Sequence, residues 1–176
     1  MHLKMILNIF AIALLSGTAW AGALKDYVDS PDPFYAVEFD SVIKERNSTG
    51  HVIRLTSQQW HSESTLSEKW THWLTIIVPD ELVSDNAMLF ITGGKVGTPA
   101  PKSLNRSWRD MAVMTKSVVA ILQQVPNQPV KLNEQEGLTE DKLIAASFQK
   151  YIETGDETWP VLCAMVKSAV CAMDAV

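Results

Sequence analysis

Ala87-Met88-Leu89-Phe90-Ile91-Thr92-Gly93-Gly94 and, further on, Val118-Val119-Ala120-Ile121-Leu122 are the two stretches that decide the fold. Each is a short, continuous apolar run, the pattern of a strand buried on both faces. Gly93-Gly94 ends the first, and Val125-Pro126-Asn127-Gln128-Pro129 closes the second. Between them, Lys95 to Ser107 is a loop rich in Gly, Pro and Ser, and Trp108 to Thr115 has helical spacing. Strand, helix and strand in this order point to parallel pairing.

Upstream, Phe34 to Ile43 alternates, with Tyr35, Val37 and Phe39 on one side. His51 to Ser57 alternates again through Val52, Ile53 and Leu55. The turn Asn47-Ser48-Thr49-Gly50 joins them into a hairpin. Leu24 to Pro33 reads as a polar, proline-bearing lead-in, and Gln58 to Lys69 as a polar connection carrying Trp60. Trp73 to Val78 is a third β-rich stretch, stopped by Pro79-Asp80.

Downstream, residues 130–138 read as polar loop. Thr139 is placed to cap a helix whose first turn holds Glu140 and Asp141, acids that the helix dipole favours. Leu143, Ile144, Ser147, Phe148 and Tyr151 follow helical spacing up to Gly155. After Pro160, the residues Leu162, Met165, Val166, Ala169 and Met173 form the stripe of a last helix. The fold class is therefore α/β, a partial sheet with an antiparallel N-terminal entry. The alternation promises one more parallel strand, and the sequence stops without it. Val118–Leu122 is then expected at an open edge. The 160–176 helix is expected to be the least protected element of an aggregation-prone chain.

Composition bounds the function. Of 176 residues, 47% are hydrophobic and 20% charged, an ordinary globular balance. The net charge of −5, with no basic run, argues against nucleic acid as a partner. Residues 1–21 carry an export signal: Lys4, the apolar core Met5–Leu15 broken by Asn8, and the small-residue site Ala19-Trp20-Ala21. The core falls short of the ~20 residues that span a bilayer. Cleavage after Ala21 leaves 155 of the 176 residues, periplasmic or secreted, with no membrane segment. Cys163 and Cys171 would then meet an oxidising compartment. Eight residues apart on one helix, their Cα atoms would be ~12 Å apart, too far for an intrachain bridge. They read as two small apolar residues, or as one half of an intermolecular disulfide.

Longer blocks carry a resemblance. They are Thr56-Ser57-Gln58 with Trp60, Trp70-Thr71-His72-Trp73-Leu74-Thr75-Ile76, and Val78-Pro79. Leu89-Phe90-Ile91-Thr92-Gly93-Gly94, Val118-Val119-Ala120 and Gln124-Val125-Pro126-Asn127-Gln128-Pro129 continue them. Glu153-Thr154-Gly155-Asp156, Trp159-Pro160, Met165-Val166-Lys167-Ser168-Ala169-Val170 and Ala172-Met173-Asp174 complete the series. By these the chain resembles the PhoPQ-activated pathogenicity-related protein family, which includes the autocrine proliferation repressors. Lys95, Cys163 and Cys171 depart from the family pattern. The resemblance implies an exported protein with an α/β-hydrolase-like fold, tied to virulence or to a secreted proliferation-repressing signal. Members are much longer, and in them the helix matching Leu162–Val176 leads into a strand and a Gly-x-Ser elbow. It thus implies that residues 22–176 are the N-terminal part of such a domain, lacking the nucleophile strand and inactive as an enzyme alone. The alternative it implies is a non-enzymatic secreted regulator.

Candidate chemistry is sparse. Within such a fold, the backbone N–H groups of Gly93 and Gly94 would face a developing oxyanion; read alone, the pair is a strand-ending turn. Ser57, Ser64, Ser103, Ser107 and Ser168 lack a G-x-S-x-G context, and His51, His61 and His72 have no elbow nucleophile to serve. In the hydrolase order, acid and base follow the nucleophile, so no residue here is assigned a catalytic role. His61-Ser62-Glu63 has no third ligand at metal spacing, and no cofactor motif is present. Trp60, Trp70, Trp73 and Trp108 fit core packing first and a ligand cleft second. Asn47-Ser48-Thr49 and Asn105-Arg106-Ser107 are sequons, used only in a eukaryotic source.

Overall fold

The two buried-type runs do pair in parallel, in a computed structural model that describes residues 22–61, 69–132 and 135–176. Residues 1–21, read from the sequence as an export signal, lie outside the described residues. The elements are α1 (Ala23–Asp29), β1 (Ala36–Glu45), β2 (Ser48–Gln58), β3 (Trp70–Pro79) and β4 (Ala87–Ile91). They continue with α2 (Arg106–Thr115), β5 (Val118–Leu122), β6 (Val130–Leu132), β7 (Gln135–Leu138), α3 (Glu140–Thr154) and α4 (Val161–Asp174). One five-stranded mixed sheet has the order β1-β2-β3-β5-β4, antiparallel except between β4 and β5.

The hairpin turns more tightly than the sequence suggests. Ser48, Thr49 and Gly50 already belong to β2, pairing with Glu45, Lys44 and Ile43. Asn47 makes the bend at φ 63°, a left-handed conformation that asparagine tolerates. The presumed lead-in contains a helix, α1, and Val130–Leu132 and Gln135–Leu138, read as polar loop, pair as a small antiparallel hairpin, β6–β7. Both corrections have one cause. Tyr27 on α1, and Val130, Leu132 and Leu138 on the hairpin, each supply an apolar side chain to a common core, which orders segments too polar to read as structure.

Alternation along β3 feeds two faces of the sheet. Leu74 and Ile76 meet Leu55, Ala120, Leu122 and Ala172 under α4, whereas Ile77 joins Leu104, Ala112, Val119 and Ile121 under α2. A third cluster joins Trp60, Trp70, Trp159, Leu143, Val161 and Ala164 with the small hairpin. The buried face of α4 is Val161, Ala164, Lys167, Ser168 and Ala172, not the stripe read from the sequence. Small residues let the helix lie close on the strands, and the larger Leu162, Val166 and Met173 flank the contact and stay partly exposed. So the middle of α4 is well covered by the strands beneath it.

The open edge is β4, not β5. β5 is held between β3 and β4 and is almost wholly buried, while Met88 and Ile91 on β4 remain about half exposed at 46% and 52%. A continuous apolar run, normally the mark of a doubly covered strand, is here an edge. Beside it a hollow of about 770 Å³ is lined by Leu82, Ala87, Leu89, Val118, Ala120 and Met173 among others. The strand carries no Lys, Pro or bulge to protect it. Ile91→Lys should therefore reduce concentration-dependent association, read by light scattering, while shifting stability by no more than about 0.5 kcal/mol. Undiminished association would mean that another surface is responsible.

Candidate functional site

Because β4 and β5 are parallel, their carboxyl ends lie at the same end of the sheet. Pairing continues past the strands: Thr92 N–H donates to Leu122 O at 2.8 Å, Val125 N–H to Thr92 O at 3.1 Å, and Gln124 N–H to Gly93 O at 3.2 Å. The Gln124 side chain donates to Lys95 O at 2.9 Å, and Val96 N–H donates to Gln128 O at 2.7 Å. The turn is thus pinned through its carbonyls. Its Gly93 and Gly94 N–H groups donate to no carbonyl among the described residues, and both glycines are exposed. From here β4 connects to α2 on one face of the sheet, and β5 connects to α3 and α4 on the other. Such a divergence opens a crevice at the strand ends.

Gly94 is required where it stands. At φ 154°, a Cβ would lie 3.1–3.3 Å from the side chain and backbone of Gln124. Gly94→Ala should therefore cost about 1–3 kcal/mol, measured by urea unfolding. A neutral result would show that the turn is free to move.

The structure also brings a serine and a histidine together. Ser57 Oγ lies 3.0 Å from His72 Nε2 and 2.9 Å from Ser168 Oγ, and His72 Nδ1 faces the carbonyls of Gln124 at 3.1 Å and Gln123 at 3.3 Å. Gln58 donates to Ala164 O at 2.7 Å and to Ser168 Oγ at 3.2 Å, and accepts from Tyr27 Oη at 2.7 Å. The spacing is that of a nucleophile and base, yet the pair is sealed beneath α4, with Ser57 and Ser168 at 0% and His72 at 1% exposure. Burial pushes the His72 pKa down to about 4, so the imidazole is neutral at pH 7. This is a load of satisfied buried polar groups, and no substrate carbonyl reaches it.

The remaining candidates separate. Ser103 and Ser107 are exposed on the loop before α2 and at its start, and Ser107 N–H serves the Asn105 cap. Ser64, and the Ser62-Glu63 part of the presumed polar triplet, lie outside the described residues. His61 stacks on Trp159 at 3.7 Å between ring centroids and reaches Thr158 Oγ1 at 3.1 Å. Trp60, Trp70 and Trp159 form core, Trp108 packs on Phe90 at 4.0 Å, and Trp73 Nε1 donates to Thr98 O at 2.8 Å, holding the Gly-rich loop. Cys163 and Cys171 are free thiols. Sequence reasoning missed Gln124, whose signal was a polar residue at the exit of a buried strand.

Comparison with known proteins agrees with the blocks of sequence. A curated relative, autocrine proliferation repressor protein A of Dictyostelium discoideum, is 30% identical over 174 residues, covering 97% of this chain and 35% of the relative. The chain thus spans about a third of the length of that relative. No solved structure matches. The family model of the PhoPQ-activated pathogenicity-related protein matches residues 24–176, and the chain belongs to that family.

Proposed function

We propose that the chain is the N-terminal part of an exported α/β-hydrolase-like domain, with the Gly93 and Gly94 N–H groups forming an oxyanion-hole-like pocket. The observation that carries this is a pair of N–H groups on exposed glycines that donate to no carbonyl among the described residues, at the carboxyl end of a parallel strand pair whose connections diverge. A nucleophile strand has a place to go. Both edges of β5 are occupied among the described residues, so a further parallel strand adds beside β4, over the apolar hollow where α4 ends. Among the described residues no nucleophile–base pair is exposed, and the chain alone turns over no ester. Export rests on Lys4, Met5–Leu15 and Ala19-Trp20-Ala21. No helix among the described residues is long and apolar enough to cross a membrane.

The test is covalent labelling with a fluorophosphonate, alongside short-chain nitrophenyl ester turnover. The 176-residue chain should give neither. A longer family member should be labelled at one serine beyond the region matched here. Turnover by the short chain, or no labelled serine in the longer protein, would refute the reading. The second outcome would favour a secreted, non-enzymatic regulator, the reading suggested by the relative's name of proliferation repressor. N-terminal sequencing of exported material should begin at Gly22.

A further inference from the structure

A hydrogen-bonded path runs from α4 to the Gly93–Lys95 turn, and His72 is its middle. Ser168 Oγ lies 2.9 Å from both Ala164 O and Ser57 Oγ; its one proton goes to Ser57, whose own proton goes to His72 Nε2 at 3.0 Å. Carbonyls only accept, so the two that face Nδ1 require the proton there, and Nε2 accepts from Ser57. Gln124 carries the path onward: its carbonyl takes the imidazole N–H, its own N–H binds Gly93 O, and its side chain binds Lys95 O. Its backbone also packs against Gly94.

We propose that His72 is a positioning residue that clamps Gln124 and thereby holds the Gly93–Lys95 turn, and that protonation of its ring in acid releases that turn. This rests on reading Gly93–Gly94 as the site and supplies its regulation. A second proton makes Nε2 a donor. Ser57 can then turn its own proton toward Ser168, so the hydrogen bonds can be remade. The charge cannot be matched. Facing the ring are Ser57 from β2, backed by Ser168 from α4, Trp70 from its own strand, and the carbonyls of Gln123 and Gln124. The titratable groups around this cluster are Cys171, held protonated by burial, Lys167 and Tyr27, with the carboxylates of Asp32 and Asp174 felt at Cys171 but not at the His72 ring. Lys167 turns its ammonium to the Ser30 and Tyr27 carbonyls, and Tyr27 reaches the cluster only through Gln58. No carboxylate hydrogen-bonds the ring among the described residues. A buried imidazolium without a counter-ion draws in water. One side must open. The α4 side is closed by fully buried Val161, Ala164 and Ala172, whereas the 93–98 turn over Gln124 is exposed, so the turn yields first.

The test is nuclear magnetic resonance of the ¹⁵N-labelled full chain from pH 7.5 to 3. His72 imidazole nitrogens are followed together with the amides of Gly93, Gly94, Lys95, Ala164 and Ser168. His72→Gln runs alongside, since its amide can donate to Gln124 and accept from Ser57 but takes no proton. The Nδ1–H tautomer is expected at neutral pH. Amide protection at Gly93–Lys95, corrected for intrinsic exchange, should fall at least about tenfold with the His72 midpoint, before α4 changes, and stay flat in H72Q. An Nε2–H tautomer, an equal response in H72Q, or loss of turn and α4 in one transition would overturn the proposal. If H72Q does not fold, the wild-type midpoints decide, with His51 and His61 as internal controls. None of these readouts involves turnover, so failure here is distinct from failure of the hydrolase reading.

Discussion

Trp70→Ala should remove about 3–5 kcal/mol of stability, enough to unfold much of the chain at 37 °C, since whole domains are stable by only about 5–15 kcal/mol. Trp70 opens β3 and is completely buried. Its ring packs edge-on against Trp60 at 5.9 Å and His72 at 6.2 Å, within a cluster built by β3, the small hairpin, α3 and α4. Elements from four parts of the chain frame the hole that alanine leaves, so it cannot collapse. Trp70→Phe is the informative control. The Trp70 indole N–H meets no acceptor among the described residues, so phenylalanine sheds an unsatisfied donor as it sheds volume. Its cost should stay below about 1.5 kcal/mol. Trp60→Phe, which loses a 3.2 Å bond to Thr158 O, should cost more. Urea midpoints measure all three; a W70A loss under about 1 kcal/mol would deny the cluster its role as core.

The parts legible in the sequence are those whose signal is local. Alternation around a short turn gave the β1–β2 hairpin, and two continuous apolar runs gave the β4–β5 parallel pair. Gly155, at φ 71°, ends α3 in a left-handed conformation that glycine adopts without strain. What the sequence hid depends on distant partners. Periodicity cannot say which of two equal apolar runs lies at an edge, and the run expected there, Val118–Leu122, is the inner one. Nor can it show that α4 turns Ala164, Ser168 and Ala172 inward. Hydrophobicity ranks Leu162 and Val166 above them, but close approach to the sheet selects small side chains. The Gly93–Gly94 turn was visible as a motif. The clamp beneath it was not, because Ser57, His72, Gln124 and Ser168 are scattered through the chain and meet only once the sheet is covered.

Acidification from pH 7 to 4 should destabilise the chain by about 3 kcal/mol through His72 alone. In the folded protein, burial outweighs the two carbonyl bonds and holds the His72 pKa at about 4, against 6.5 for an exposed ring. Above pH 6.5 the ring is neutral in both states and contributes no pH dependence. Between 6.5 and 4 the unfolded chain binds the proton and the folded chain does not, so stability falls as pH falls. Below about 4 both states are protonated and the loss is complete. The roughly 2.5-unit gap, at 1.36 kcal/mol per unit, sets the magnitude. Glu45 and Asp110, paired with Arg109, have pKa values held below the usual carboxylate range. Their contribution is lost at lower pH, which leaves the upper part of the window to histidine. Urea unfolding of wild type and His72→Gln at pH 7.5, 6, 5 and 4.5 isolates the effect. The difference between the two should grow steadily against wild type as pH falls. A gap that does not change with pH would mean that His72 ionises as freely in the folded chain as in the unfolded one, and that the seal formed by α4 over Ser57 and His72 is not closed to water.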